Sequence, residues 1–136
     1  MFVRAASILC CLALVTVSLG EEKVTKKPLG TWVRESNGNK FVFDIKAEGL
    51  TINVTTGEGS LTAEASYGVT SDGTLFGILT KVEKKGMENG PQKGDLFAFD
   101  FSANKKELTL SNLKGTRTSD EAAKATEGVY ALEKKK

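Results

Sequence analysis

The sequence predicts an all-β protein, an eight-stranded antiparallel up-and-down barrel with one short helix before the last strand. Short segments with alternating apolar and polar residues recur along the chain at a spacing of roughly ten residues, which is typical of successive strands. Tight-turn residues separate these segments, and no connection is long enough for a crossover. Such a meander forms either a sandwich or a barrel. We expect the barrel, because closure removes exposed strand edges.

The first two strands are predicted on either side of a hairpin turn. Gly30 to Glu35 precedes Ser36-Asn37-Gly38-Asn39, and Lys40 to Lys46 follows it. Asn-Gly is favoured in such turns because both residues tolerate a positive φ. In the second strand Phe41, Phe43 and Ile45 share one face, with a period of two. This face is predicted to point into the barrel.

Later segments repeat the pattern. Four further inward rows are predicted, in chain order: Leu50, Ile52 and Val54; Leu61, Ala63, Ala65 and Tyr67; Phe97, Phe99 and Phe101; Leu108 and Leu110. Gly128 to Glu133 forms the last strand. Thr118 to Lys124, just before it, has a capping-box start and helix-forming residues, which predict one or two helical turns.

The fifth segment, Thr74 to Lys84, is apolar on both faces. Leu75 and Leu79 lie opposite Phe76 and its even-numbered neighbours. We expect the row of Phe76 to face inward and the two leucines to lie outside. Because an apolar outer face is usually covered, the cover would be the helix, the N-terminal lead-in or another molecule.

The first 20 residues have the pattern of a secretory signal peptide. A basic start precedes an apolar stretch from Ala5 to Leu19, and small residues lead to Gly20 before two glutamates. The apolar stretch is shorter than the ~20 residues that a membrane-spanning helix needs. We expect cleavage after Gly20 and a secreted or periplasmic mature protein without a membrane span. The expected organisation is a signal peptide over 1–20, an extended lead-in over 21–29 and a barrel domain over 30–134.

Composition excludes most catalytic chemistry. The chain has no histidine, and its two cysteines, Cys10 and Cys11, both lie in the leader. The mature protein therefore has no Ser-His-Asp triad, thiol nucleophile, soft metal site or disulfide. The 19 basic and 17 acidic residues are interleaved, without the basic stripe of a nucleic-acid-binding protein. We expect a non-enzymatic monomer with no cofactor, no metal and no nucleic-acid partner.

Candidate binding residues follow from the strand rows. An eight-stranded barrel is only wide enough for its own side chains or for one small ligand. The aromatic residues are therefore either plain core or the lining of a pocket for a small apolar ligand: Trp32, Phe43, Tyr67, Phe76, Phe97, Phe99 and Tyr130. A protein partner would instead contact the outward leucines and the glycine-rich loop after them: Leu75, Leu79, Met87 and Pro91.

A hydrolase that uses carboxylates alone is a further alternative. Its candidates are Asp44, Glu64, Asp95 and Asp100, which we expect at outward positions or strand ends, in solvent. Lys81 is predicted at the barrel mouth rather than buried as a base.

Gly30-Thr31-Trp32 carries a family resemblance. A Gly-x-Trp motif on the first strand, followed by an eight-strand meander and a late helix, resembles the calycin barrels: lipocalins, avidins and the bacterial barrel inhibitors of secreted proteases. The resemblance implies that Trp32 closes one end of the barrel. Chain length and leader also look like the small exported lipocalin-like paralogues of planctomycete bacteria.

The functions implied by this resemblance are a binding module, or an inhibitor whose segment Glu21 to Leu29 reaches into the cleft of an extracytoplasmic enzyme. The chain departs from the family in three respects: it lacks the late arginine of lipocalins, the several tryptophans of the avidin site and the inhibitors' disulfide. The resemblance therefore implies a fold and no particular ligand.

Overall fold

The computed structural model describes residues 26–133; the predicted leader and the first part of the lead-in lie outside this range. Eight antiparallel strands form a closed barrel in which each strand pairs with the next and the last pairs with the first. This confirms the predicted fold class. The elements are β1 (Gly30–Ser36), β2 (Asn39–Ile45), β3 (Leu50–Thr55), β4 (Ser60–Val69), β5 (Thr74–Lys85), β6 (Leu96–Ala103), β7 (Glu107–Gly115), α1 (Asp120–Thr126) and β8 (Gly128–Leu132).

The helix lies two residues later than the segment predicted for it. Its N-cap is Ser119, whose side-chain oxygen accepts a hydrogen bond from the backbone N–H of Ala122. That bond satisfies one of the amide groups that a helix start leaves without an internal partner.

Aromatic rings from three strands meet in the middle of the barrel. The ring of Phe43 packs edge-on against Phe99, with centroids 5.9 Å apart, and against Tyr130, with centroids 5.2 Å apart. All three side chains are buried. Edge-to-face packing of this kind stabilises a core beyond the area that it buries. The middle level of the lumen is therefore filled by the protein's own side chains.

A bulge in β5 reverses the predicted faces of the residues that precede Thr80 in that strand. Glu64 pairs with Lys81 while Ala65 pairs with Leu79, so Thr80 is an extra residue with no residue paired to it in the register of β4. Leu75 and Leu79 consequently point into the barrel and are only 0% and 5% exposed. The expectation that these leucines lie outside is wrong, because it assumed one unbroken alternation along the whole of β5, and the bulge interrupts that alternation.

A second bulge lies in β7. Ala98 pairs with Lys114, but Asp100 pairs with Ser111, so β7 has one more residue here than β6. Asn112 takes up the bulge with a φ of 53°, a conformation that asparagine tolerates better than most residues. Beyond it, Leu113 packs against the core cluster.

The two ends of the barrel differ. At one end, called here the closed end, Trp32 is buried and its indole N–H donates to the carbonyl of Pro28 at 2.9 Å. The Nζ of Lys27 donates to the carbonyl of Ala47, in the turn between β2 and β3, at 2.7 Å. Residues 26–29 thus lie across this end. The opposite end, the helix end, has the 37–38 turn, the 86–95 loop and α1.

Candidate functional site

The aromatic residues predicted to line a ligand pocket separate into three groups. Four are buried in the core: Trp32, Phe43, Phe99 and Tyr130. Tyr67 and Phe97 are half-buried, and the ring of Phe97 stacks on Phe99 with centroids 6.1 Å apart. The hydroxyl of Tyr67 donates to the carbonyl of Lys46 at the closed end, and burial raises its pKa. Because the core rings fill the middle of the lumen, any ligand must lie toward an end.

Phe76, the seventh of these residues, lies on the outer surface and is 49% exposed, contrary to the prediction. The β5 bulge is the reason, since it sends the even-numbered residues before Thr80 outward. The ring covers Gly68 on β4, where an added Cβ would lie 3.0 Å from it. Ile78 and Leu96, a cross-strand pair, are also exposed beside it.

The predicted partner-binding residues are not gathered on one surface. Leu75 and Leu79 are core residues and are unavailable to a partner. Met87 and Pro91 are half-buried in the 86–95 loop. Sequence reasoning placed the exposed apolar residues of β5 inside the barrel and did not single out the one on β6. The alternation of the sequence gives no sign of the bulge, so it does not show which face of β5 lies outside.

Asp95 is buried, at 5% exposure, rather than solvated as predicted. Its carboxylate pairs with the Nε of Arg117 at 3.1 Å and accepts the backbone N–H of Gln92 at 2.9 Å. A buried charge persists when it is paired and hydrogen-bonded. Asp95 therefore fastens the 86–95 loop to the turn that leads into α1.

The other candidate carboxylates lie on the outside of the barrel. Hydrogen bonds from Asn112 and Thr74 hold the pKa of Asp100 below its usual range. Asp44 accepts a hydrogen bond from Thr31 on β1, and Glu64 is exposed on β4. Each lies on a different strand, and the structure brings no two of them together in a cleft. Lys81 is exposed and pairs with Glu83 at 3.6 Å.

A cavity of about 300 Å³ opens at the helix end, between the β1–β2 hairpin and α1. This volume is at the lower limit of small-molecule sites in proteins. Most of the lining side chains are polar, and one aromatic ring from the core contributes the apolar part. The lining residues are Ser36, Asn37, Asn39, Phe41, Glu121, Lys124 and Ala125.

Hydrogen bonds, rather than apolar packing, position the helix over this cavity. No residue of α1 is buried. Near its C-terminal end, Arg34 donates from Nη1 to the carbonyl of Ala125, and the hydroxyl of Tyr130 donates to the carbonyl of Thr126, each at 2.6 Å. These bonds satisfy carbonyls that a helix end leaves without an internal partner. Burial raises the pKa of Tyr130, so its hydroxyl keeps the proton that it donates.

Among the described residues, five polar side chains that line the cavity have no protein partner. Within residues 26–133, none of them makes a side-chain hydrogen bond or an ion pair: Ser36, Asn37, Asn39, Glu121 and Lys124. Their donors and acceptors are therefore available to a bound molecule. Sequence reasoning missed these residues as a site, because the hairpin and the helix are about 80 residues apart in the chain and meet only when β8 pairs with β1.

A second cavity, of about 560 Å³, lies at the closed end beside residues 26–28. Much of its charged lining is already engaged. Lys27 bonds the carbonyl of Ala47 and lies 4.9 Å from the ring centroid of Tyr67, and Asp72 accepts a hydrogen bond from Thr70. The helix-end cavity is therefore the better candidate for a ligand site.

Comparisons of the chain with protein-family models, with curated proteins and with solved structures found no match. Over residues 26–133, no cluster of three side chains could hold a metal ion. No helix in that part of the chain has the length and hydropathy to cross a bilayer. The structure shows the fold class, a closed up-and-down β-barrel, and a fold of this kind does not by itself define a function.

Proposed function

We propose that this protein is an exported, non-enzymatic binding module that holds a small molecule at the helix end of its barrel. The helix-end cavity is the observation that carries the proposal. Polar side chains that have no partner among the described residues lie there beside the ring of Phe41, so the lining offers hydrogen-bonding groups and an apolar contact to one small molecule. The leader pattern of residues 1–20 supports export, and the absence of histidine and of mature cysteine supports a role without catalysis.

We also propose that the chain is a distant relative of the exported calycin barrels. An eight-strand meander supports this relationship, as does a Gly-x-Trp motif whose Trp32 is buried at one end of the barrel. The chain still departs from lipocalins in lacking a late arginine beside the tryptophan: Arg34, on the first strand, donates instead to the carbonyl of Ala125 in α1.

The inhibitor alternative has less support from the geometry. Residues 26–29, the described part of the proposed inhibitory segment, contact the barrel through Lys27 and Pro28. Under this alternative, an enzyme would bind residues 21–25, which precede the described part of the segment. A deletion that tests inhibition should therefore remove residues 21–25 and keep Pro28, because its carbonyl accepts the hydrogen bond of Trp32.

Native mass spectrometry of the protein purified from its own host tests the proposed function. We expect a small-molecule adduct that is retained by Ala122→Trp and lost by Ala125→Trp. Both alanines are exposed on α1, but only Ala125 lines the cavity, so the first variant controls for the added tryptophan. Loss of the adduct from both variants, or its retention by both, contradicts the proposal, and so does a folded wild-type protein that has no adduct and binds no added small molecule. A co-purified enzyme in place of the adduct supports the inhibitor alternative.

A further inference from the structure

The helix-end cavity has one negative and one positive group on its helical wall. Glu121 and Lys124 are three residues apart on α1, a spacing that places side chains on the same face of a helix. Within the described residues they form no ion pair with each other or with any third group. The wall therefore offers an acceptor-only carboxylate and a donor-only ammonium group side by side.

The opposite wall and the floor are neutral. Asn37 and Asn39, from the hairpin, each offer amide donors and an acceptor, and Ser36 adds a hydroxyl. Phe41 brings the apolar surface of the barrel core into the cavity. A ligand that fits this lining has a charged pair of groups at one side and an apolar group at another.

We infer that the helix-end cavity binds an α-amino acid with an apolar side chain in its zwitterionic form, an inference that rests on the proposed function. The α-ammonium group pairs with Glu121 and the α-carboxylate with Lys124, with the amides of the hairpin completing the hydrogen bonds. The side chain of the ligand contacts Phe41. A volume of about 300 Å³ holds a molecule of this size.

Charge balance is the reason to prefer a zwitterion. A ligand with only a carboxylate leaves Glu121 unpaired beside it, and a ligand with only an ammonium group leaves Lys124 unpaired. An unpaired charge that loses water on binding opposes association. A sugar bonds the amides but neutralises neither charged group, so it gains less from this wall.

The test is a set of ¹H–¹⁵N titrations of the full mature chain with four probes: L-leucine, N-acetyl-L-leucine, L-leucinamide and glucose. Leucine is expected to shift the amides of residues 36–41 and 121–125 and to bind about tenfold or more tightly than the acetylated or amidated form, since a hydrogen bond to a charged group contributes that much. Glu121→Gln should abolish most of this preference over N-acetyl-L-leucine.

Asp120→Asn is the matched control for that variant. Asp120 and Glu121 both lie in the first turn of α1 and interact alike with the helix dipole, but Asp120 does not line the cavity. The preference for leucine should therefore survive Asp120→Asn. Equal effects of the two variants would contradict the assigned contact between Glu121 and the α-ammonium group.

The possible failures of the two proposals can be told apart. Tighter binding of glucose, or equal binding of leucine and N-acetyl-L-leucine at the same amides, overturns the zwitterion and leaves the binding module standing. No shift with any probe, together with a retained adduct in native mass spectrometry, also overturns the zwitterion alone. The absence of both shift and adduct contradicts both proposals.

Discussion

Two adjacent residues of β5 provide a direct test of the barrel register. Leu75 is fully buried and Phe76 is 49% exposed. Truncation of a buried leucine to alanine destabilises a protein by about 2–5 kcal/mol, through lost transfer free energy and the cavity left behind. Complete burial of a large apolar side chain contributes roughly 1.5–3 kcal/mol, so truncation of the half-exposed Phe76 should remove about 1 kcal/mol.

The bulge at Thr80 is what makes this expectation specific. A strand with uninterrupted alternation from Phe76 to Val82 would bury the phenylalanine and expose Leu75, and the larger aromatic residue would then be the more sensitive one. In the structure the smaller side chain is in the core, so Leu75→Ala should be roughly three times as destabilising as Phe76→Ala.

Urea denaturation followed by tryptophan fluorescence measures both variants. Trp32 is the single tryptophan of the chain and is buried, so its emission reports unfolding of the barrel. With a slope of about 1.5 kcal/mol per molar urea, typical for a domain of this size, Leu75→Ala should lower the midpoint by about 2 M and Phe76→Ala by less than about 1 M. An equal or larger effect of Phe76→Ala would refute the bulge and the faces derived from it.

Two further predictions concern β6 and its neighbours. Phe99→Ala should destabilise the barrel by about 3–5 kcal/mol, because the ring is buried against two others. Ala98 points outward, so Ala98→Ser should change the free energy of unfolding by no more than about 0.5 kcal/mol in the same denaturation assay. A larger effect of Ala98→Ser would show that the opposite face of β6 lies inside. Thr74→Val removes a hydrogen bond that lowers the pKa of Asp100, so a carbon-13 titration should show that pKa rising. Because the folded pKa lies below the unfolded one, this stabilisation is present above the unfolded pKa and is lost as pH falls through the folded pKa. The variant should therefore be less sensitive to acid, and an unchanged pKa would contradict the bond.

Local sequence was sufficient for most of the elements. Strands β2 and β3 were predicted from alternation, since a strand with one buried face must alternate. The 37–38 turn was predicted from Asn-Gly, and both residues have positive φ, 53° and 82°. The helix was predicted from its capping residues. These features depend on neighbours within a few positions along the chain.

The two bulges could not be read in this way. Thr80 and Asn112 each insert one residue into a strand, and only the pairing with the neighbouring strand shows that a residue is extra. The bulge at Thr80 exchanged the faces of Leu75 and Phe76. The burial of Asp95 was missed for a related reason, since its partner Arg117 lies on a different connection.

By itself, the sequence determined the all-β class, the number of strands, the approximate position of the helix and the absence of histidine, because these follow from local alternation and composition. The tertiary structure decided that the strands close into a barrel rather than a sandwich. Tertiary structure alone decided which side chains share a cavity. Ser36 and Lys124 meet because β8 pairs with β1 and because Arg34 and Tyr130 hold the end of α1 over the barrel. Closure of the barrel brings together residues that are far apart in the chain. The alternation of apolar and polar residues along one strand does not indicate which distant residues these are.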